Sequence, residues 1–191
     1  MLPGTFNPPT RAHFALANAA LREVDELLLV LPRSFPHKSY KGIDFAQRLR
    51  LLEAAAGTAP RISIAATDQG LFLDIYRECR QAYGPGVRLS FVCGRDAAER
   101  ILTWDYGQPS AVHDMLNAFD LLVAARRGRF DPPAEFEGQI RALLLPESVE
   151  DVSATEVRTR IARGEPWEHL VPAEIVPLVS EIYAQRNLLE A

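Results

Sequence analysis

Two short stretches, one near each end of the chain, carry the residue types that hold phosphate. The first is Gly4-Thr5-Phe6-Asn7-Pro8-Pro9-Thr10-Arg11-Ala12-His13. It reads as a tight loop running into a helix, with Thr10 a good N-cap after the rigid pair Pro8-Pro9. A helix start presents unpaired N–H groups and a partial positive charge, and both favour an anion. His13 falls in the first turn and can add a ring N–H donor. Taken alone, the stretch also fits a capped surface helix with a solvated imidazole. The second stretch is Val152-Ser153-Ala154-Thr155-Glu156-Val157-Arg158. Here Ser153-x-x-Glu156 reads as a capping box, a common helix start with no catalytic meaning. Arg158 exceeds what a cap needs. It sits close to the helix start, where its planar fork could reach an anion held by hydroxyls and amides. Each stretch is a weak signal alone; together they point to a polyphosphate held between the two ends of the chain.

Such ends need a frame to meet on. Short apolar runs at 26–31, 61–66, 87–93, 121–125 and 141–145 alternate with amphipathic stretches at 11–21, 44–56, 72–82, 97–102 and 111–119. The runs are nearly continuous in apolar residues, as expected for strands covered on both faces of a parallel sheet. Strand and helix in alternation predict an α/β fold, a Rossmann-like doubly wound sheet with ligands at the carboxyl ends of its strands. From Ser153 to the end (153–191) the pattern is helical, broken at Gly164-Glu165-Pro166. A last helix follows Pro172, with Ile175, Val179 and Ile182 as its apolar stripe and Pro177 within about its first turn. Residues 127–137 read as a loop and not a linker, so one domain over 1–191 is expected. The Gly-rich opening needs a strand to launch it, yet only Met1, Leu2 and Pro3 precede Gly4. Either that strand is three residues long or the chain as given starts late; in the second case a longer N-terminus should raise the melting temperature.

Composition narrows the function classes. With 191 residues, 48% hydrophobic and 24% charged, the chain has the make-up of a globular protein. A net charge of −4 gives no reason to expect nucleic acid or an anionic membrane as partner, so any bound anion must be met by a local cluster of donors. No apolar run approaches a membrane span, and no signal peptide opens the chain. Cys79 and Cys93 form neither a metal-ligand spacing nor a disulfide framework. They read as reduced, buried thiols, and the expected location is the cytoplasm.

Gly4-Thr5-Phe6-Asn7-Pro8-x-Thr10-x-x-His13 resembles the opening signature of the nucleotidyltransferases that carry a His/Thr-x-Gly-His motif. Ser153-x-Thr155-x-x-Arg158 resembles the Ser-Ser/Thr-Thr-x-x-Arg motif that closes the same superfamily. Within it the chain is most similar to the bacterial nicotinate-nucleotide adenylyltransferases. Pro36-His37-Lys38 with Gln47-Arg48, Gly94-Arg95-Asp96, Trp104, Val123-Ala124-Ala125-Arg126 and Leu170-Val171-Pro172 resemble that family's intermediate motifs. The likeness spans nearly the whole chain. It implies transfer of AMP from ATP to a mononucleotide phosphate, nicotinate mononucleotide first among candidates, with Mg²⁺ bridging the leaving phosphates. By the same resemblance Gly4, Thr5, Phe6, Thr10, His13, Gly94, Asp96, Ser153, Thr155 and Arg158 contact ATP. His13, Arg158 and Lys38 act on the phosphates, and Trp104 and Arg126 meet the acceptor. No residue is assigned to a metal.

Plainer roles stand beside several of these. Trp104 can be a surface aromatic, Lys38 a solvated loop charge, Asp96 a helix cap, and Arg126 half of an exposed basic pair with Arg127. The chain departs from the family at Ala12 and Ala154, where a glycine and a hydroxyl are expected. It departs also at Thr67-Asp68-Gln69-Gly70-Leu71-Phe72, where the nicotinate-recognising Tyr-Thr-x-x-Thr is not evident. Phosphopantetheine adenylyl transfer, cytidylyl transfer and a non-catalytic nucleotide-binding module are the rival readings; a nicotinamide dehydrogenase ranks last because no Gly-x-Gly-x-x-Gly follows an early strand. The expected partners are small nucleotides, and the residues allow a homo-oligomer without requiring one.

Overall fold

The apolar runs become strands because each can bury side chains on alternate faces. The computed structural model describes residues 1–35, 40, 42–103, 107–108, 110–125, 130–149 and 151–189, with 185–189 in backbone only. In it β1 (Leu2–Pro3), β2 (Leu27–Pro32) and β3 (Ile62–Thr67) pair in parallel. So do β4 (Ser90–Gly94), β5 (Asp120–Ala124) and β6 (Ile140–Leu143). Met1 joins the two sets: its ammonium donates to the Ser90 carbonyl at 2.6 Å, and its carbonyl accepts from Val92 N at 2.8 Å. The order across the molecule is therefore β3-β2-β1-β4-β5-β6, the expected doubly wound arrangement. Its direction of winding reverses between β1 and β4, so the loop after Pro3 and the helix that starts directly behind Gly94 leave the sheet at the crevice where such folds bind ligands.

Seven helices are described: α1 (Arg11–Ala20), α2 (Phe45–Ala56), α3 (Phe72–Tyr83), α4 (Arg95–Thr103), α5 (Ala111–Ala118), α6 (Ala154–Arg163) and α7 (Val176–Leu189). The period of two along the strands sorts them into layers. Phe91, Cys93, Leu121 and Val123 face Ile75, Cys79, Ala98 and Met115 of α3 to α5. Val92, Leu122 and Ala124 point the other way, toward Ala17 and Ala20 of α1 and Leu52 of α2. A third apolar cluster unites Ala12 and Leu51 with Val157 of α6 and with Ile175, Val179, Ile182 and Tyr183 at the chain's end. This cluster anchors the closing helices onto α1 and α2, and through them onto the opening loop.

The structure departs from the expected elements at β4, α4 and β3. Residues 87–89 do not join β4, because the Arg80 guanidinium takes the carbonyls of Gly84 and Val87 at 2.7 and 2.6 Å and holds Val87 43% exposed. Helix α4 starts at Arg95, directly behind Gly94, and not at Ala97. The expectation that every strand is covered on both faces fails at β3, an edge strand whose Ser63 and Ala66 are exposed.

Strand β1 is two residues long, and Met1 lies in the core. Desolvation pushes the pKa of its ammonium down from 8.0 to about 6, partly offset by the neighbouring Cys79 thiol. No described helix is long and apolar enough to cross a membrane.

Candidate active site

The opening loop leaves the sheet at Gly4, whose N–H still pairs with the Val30 carbonyl at 3.1 Å. Glycine is required there because the Phe6 ring folds back, and a Cβ on Gly4 would lie 2.9 Å from its tip. Phe6 itself is held at φ 47° and is fully buried. A bulky residue in the left-handed region is strained, and such strain persists only where the surroundings impose it. The Phe6 side chain is thus internal support, and only its backbone is left to meet a ligand. Its ring centroid lies 5.0 Å from that of His13.

Thr10 is fully buried at the start of α1, and its N–H and hydroxyl both address the His13 ring. Its backbone N–H donates to Nδ1 at 3.0 Å, and Oγ1 lies 2.7 Å from the same nitrogen. An Nδ1 that accepts a backbone N–H leaves the proton of the neutral ring on Nε2. The imidazole thus takes the place that Glu or Gln fills in an ordinary capping box. Thr10 and Phe6 are the orienting neighbours of His13, which the sequence leaves unidentified.

At the other end, Ser153 Oγ accepts from Glu156 N at 3.1 Å and caps α6. The reciprocal half of the expected box is not made: the Glu156 carboxylate pairs with Arg160 Nε at 2.6 Å, one turn on. Arg158 crosses to the opening loop. Its Nη1 donates to the Asn7 carbonyl at 2.7 Å, and its Nη2 donates to Thr155 Oγ1 at 3.2 Å. Asn7, 3% exposed, is a junction. Its side-chain carbonyl accepts from Tyr183 of α7, and a Cβ on Gly42 would collide with its amide nitrogen. The departure at Ala12 has a physical reading, since that residue is buried with Ile43, Leu51 and Val157. Its methyl packs into the third apolar cluster. Ala154 opens α6 half-buried, and nothing in the structure explains it.

Gly94 and Asp96 stand at the carboxyl end of β4, across the switch point from Gly4, and both are exposed. Asp96 lies in the first turn of α4 and is not its cap. At the end of β3, Ser34 Oγ donates to the Asp68 carbonyl at 2.8 Å and lies 2.9 Å from Gln69 Oε1, tying the non-matching Thr67–Gly70 stretch to the end of β2. Lys38, Trp104 and Arg126 lie outside the described residues. A groove of about 690 Å³ beside α1, lined by Arg11, Asn18, Arg22 and Leu144, includes neither His13 nor Arg158 among its walls.

Sequence reasoning gave Asn7 no role and named Arg48 only within a motif. Arg48 is 2% exposed, and its guanidinium reaches the carbonyls of Thr5 at 3.3 Å and Pro32 at 3.4 Å. The rings of Tyr40, Phe35 and Phe45 surround it at 4.8, 5.3 and 5.5 Å. Burial lowers its pKa, against the pull of Tyr40 and Asp44. Among the described residues no three carboxylate, His or Cys groups converge as a metal site.

Comparison with known proteins gives this geometry a setting. Residues 1–160 match the family model described as cytidylyltransferase-like. A probable nicotinate-nucleotide adenylyltransferase of Moorella thermoacetica is 28% identical, over 92% of this chain and 85% of its own. One of the same description from Chromohalobacter salexigens is 29% identical, over 92% of this chain and 90% of its own. Among solved structures, Plasmodium falciparum nicotinic acid mononucleotide adenylyltransferase complexed with NaAD superposes with a TM-score of 0.71 at 16% identity, covering 99% of this chain and 95% of that one.

Proposed function

The chain belongs to the cytidylyltransferase-like family, and we propose that it is an adenylyltransferase that moves AMP from ATP onto nicotinate mononucleotide in the making of NAD. The observation that carries this reading is the contact between the chain's two ends: Arg158 donates to the Asn7 carbonyl in the same loop that Thr10 closes onto His13. An imidazole and a guanidinium from opposite ends of the sequence are thereby fixed to one loop at a helix start.

In the reaction a phosphate oxygen of the acceptor attacks the α-phosphorus of ATP. The bond from that phosphorus to the bridging oxygen breaks, and pyrophosphate leaves with the electron pair. The acceptor phosphate is already ionised near neutral pH, so no base is needed. Catalysis consists of alignment and of donors placed where charge develops. With Nδ1 engaged by Thr10, His13 offers Nε2–H to an oxygen on the α-phosphorus. Arg158 and Lys38 hold the β- and γ-phosphates, and the N–H groups at the starts of α1 and α6 add donors with Ser153 and Thr155. Asp96 and Gly94 meet the nucleoside side of ATP, and Trp104 and Arg126 the acceptor. The residues fit Mg²⁺ arriving with the triphosphate, since that ion keeps water and phosphate ligands and needs no protein cage. Mg²⁺ would neutralise charge on the departing pyrophosphate.

The test is pyrophosphate release from ATP with nicotinate mononucleotide, beside arms with nicotinamide mononucleotide, phosphopantetheine, and CTP in place of ATP. Fastest release with nicotinate mononucleotide supports the reading. Preference for nicotinamide mononucleotide would move the acceptor and trace to the Thr67–Gly70 departure. Release in no arm would leave a nucleotide-binding module.

A further inference from the structure

Arg48 is anomalous by the ordinary rules of protein interiors. It is a cation, 2% exposed, and among the described residues no carboxylate pairs with it. The nearest acid in sequence, Asp44, spends its carboxylate on the N–H of Gln47 at 2.7 Å as the cap of α2. The Arg48 contacts to carbonyls are long, 3.3–3.5 Å, and its Nε has no hydrogen-bond partner. An uncompensated buried charge is strongly unfavourable, and a buried donor without a partner calls for an explanation. The rings of Tyr40, Phe35 and Phe45 soften the cost through their negative faces without cancelling the charge.

Its position supplies the reason. The two carbonyls it addresses belong to Thr5, in the opening loop, and to Pro32, the last residue of β2. The guanidinium is therefore set at the carboxyl ends of β1 and β2, bonded to the opening loop through the Thr5 carbonyl. Resting on the adenylyltransferase reading above, we propose that Arg48 is a positioning residue for the polyphosphate. It holds the Thr5 carbonyl back, so that the strained Thr5–Phe6 backbone keeps its N–H groups turned to the ligand. Its charge is left unpaired within the protein because the substrate's phosphates are its electrostatic counterpart. It touches no reacting atom and acts through Thr5. A hydrophobic or neutral residue would pack there as well, but would leave the loop without a tether and the site without a cation in a medium where charge is little screened.

The experiment compares Arg48→Gln, which keeps donors and loses charge, with Arg48→Lys, which keeps charge and loses the fork. Inorganic tripolyphosphate is titrated by calorimetry well below the melting temperature of each protein, and steady-state rates are measured with ATP and nicotinate mononucleotide. For Arg48→Gln the tripolyphosphate Kd and the KM for ATP should rise about tenfold or more, the size of one lost charged contact. The KM for nicotinate mononucleotide should stay within about threefold, with Arg48→Lys recovering part of the loss. A merely structural role would lower the melting temperature and leave both constants of the folded protein unchanged, and that result overturns the proposal. If Arg48→Gln does not fold, Arg48→Met, which packs in the same space without a charge, is titrated in its place: tripolyphosphate affinity equal to the parent's in that folded variant sinks the idea. Failure of the underlying reading is separate. It appears as a parent protein that binds tripolyphosphate in an Arg48-dependent way yet turns over no mononucleotide.

Discussion

Helices α1 and α6 begin alike and end in different service. Each has a hydroxyl N-cap, Thr10 or Ser153, and each carries a candidate phosphate ligand within two turns. At α1 the cap is fully buried and is consumed by the ligand's own positioning, since the N–H and hydroxyl of Thr10 both address His13 Nδ1. At α6 the cap only satisfies a backbone N–H, and Arg158 ignores it to reach a loop 151 residues away in sequence. The same local grammar thus yields a rigid imidazole built into the core and a long arm thrown across the site. The first should tolerate change poorly and locally; the second should report on whether the two ends are joined.

The largest expected effect is at His13. His13→Ala should lower kcat by about 10²–10³, the usual cost of one preorganised donor to developing charge, with the cooperative melt retained. A variant as active as the parent removes the imidazole from the chemistry and collapses the contrast. Next comes Arg158→Ala, which should reduce kcat/KM for ATP by roughly 10- to 100-fold, in the range of a hydrogen-bonded charge. Arg158→Lys should restore little of it, because the fork that spans Asn7 and Thr155 is lost. Full rescue by lysine would mean that a point charge suffices and that the bridge to Asn7 is incidental.

The opening region has a second buried charge, the Met1 ammonium, whose pKa is about 6 in the fold against an ordinary 8.0. Between those values the unfolded chain binds more protons than the native one, so stability must rise with pH. The gain from below pH 6 to above pH 8 should be about 2–3 kcal/mol, read as a climbing urea midpoint. Adding a few residues ahead of Met1 replaces the ammonium by a peptide N–H and should flatten that slope; a slope unchanged by the extension would assign the pH dependence elsewhere. The smallest effect is expected at the α6 cap. Ser153→Ala should cost about 1 kcal/mol of stability, with kcat changed far less than by His13→Ala. If Ser153→Ala instead lowers kcat as far as His13→Ala does while the fold holds, its hydroxyl serves the charge that develops in the reaction and not only binding, and the two caps are more alike than their geometry indicates.

Much of the frame was legible because its causes are local. Leu27–Val30 and Leu121–Ala124 declare strands by continuous apolarity, and Ile175, Val179 and Ile182 declare a helix face by spacing; all are buried as expected except Leu28, which is half-buried. Boundaries slipped where a distant or flanking group intervened, as when Arg80 captured the Val87 carbonyl, and two-sided burial failed at β3, the outer strand of its sheet. The phosphate candidates were legible as types and spacings, although the partner of Glu156 was misread because Arg160 competes for its carboxylate.

The sequence by itself determined the alternation of strand and helix, the two capped helix starts and the residues fit to meet phosphate, since these follow from propensity and spacing within a few turns of chain. Tertiary structure alone decided that Arg158 lands on Asn7, that Tyr183 and Gly42 meet there too, that the Ala12 methyl turns into the core, and that Arg48 is buried against the Thr5 carbonyl without a counter-charge. Those contacts join residues dozens to more than a hundred positions apart. Their existence depends on how three apolar layers pack, which no local pattern encodes.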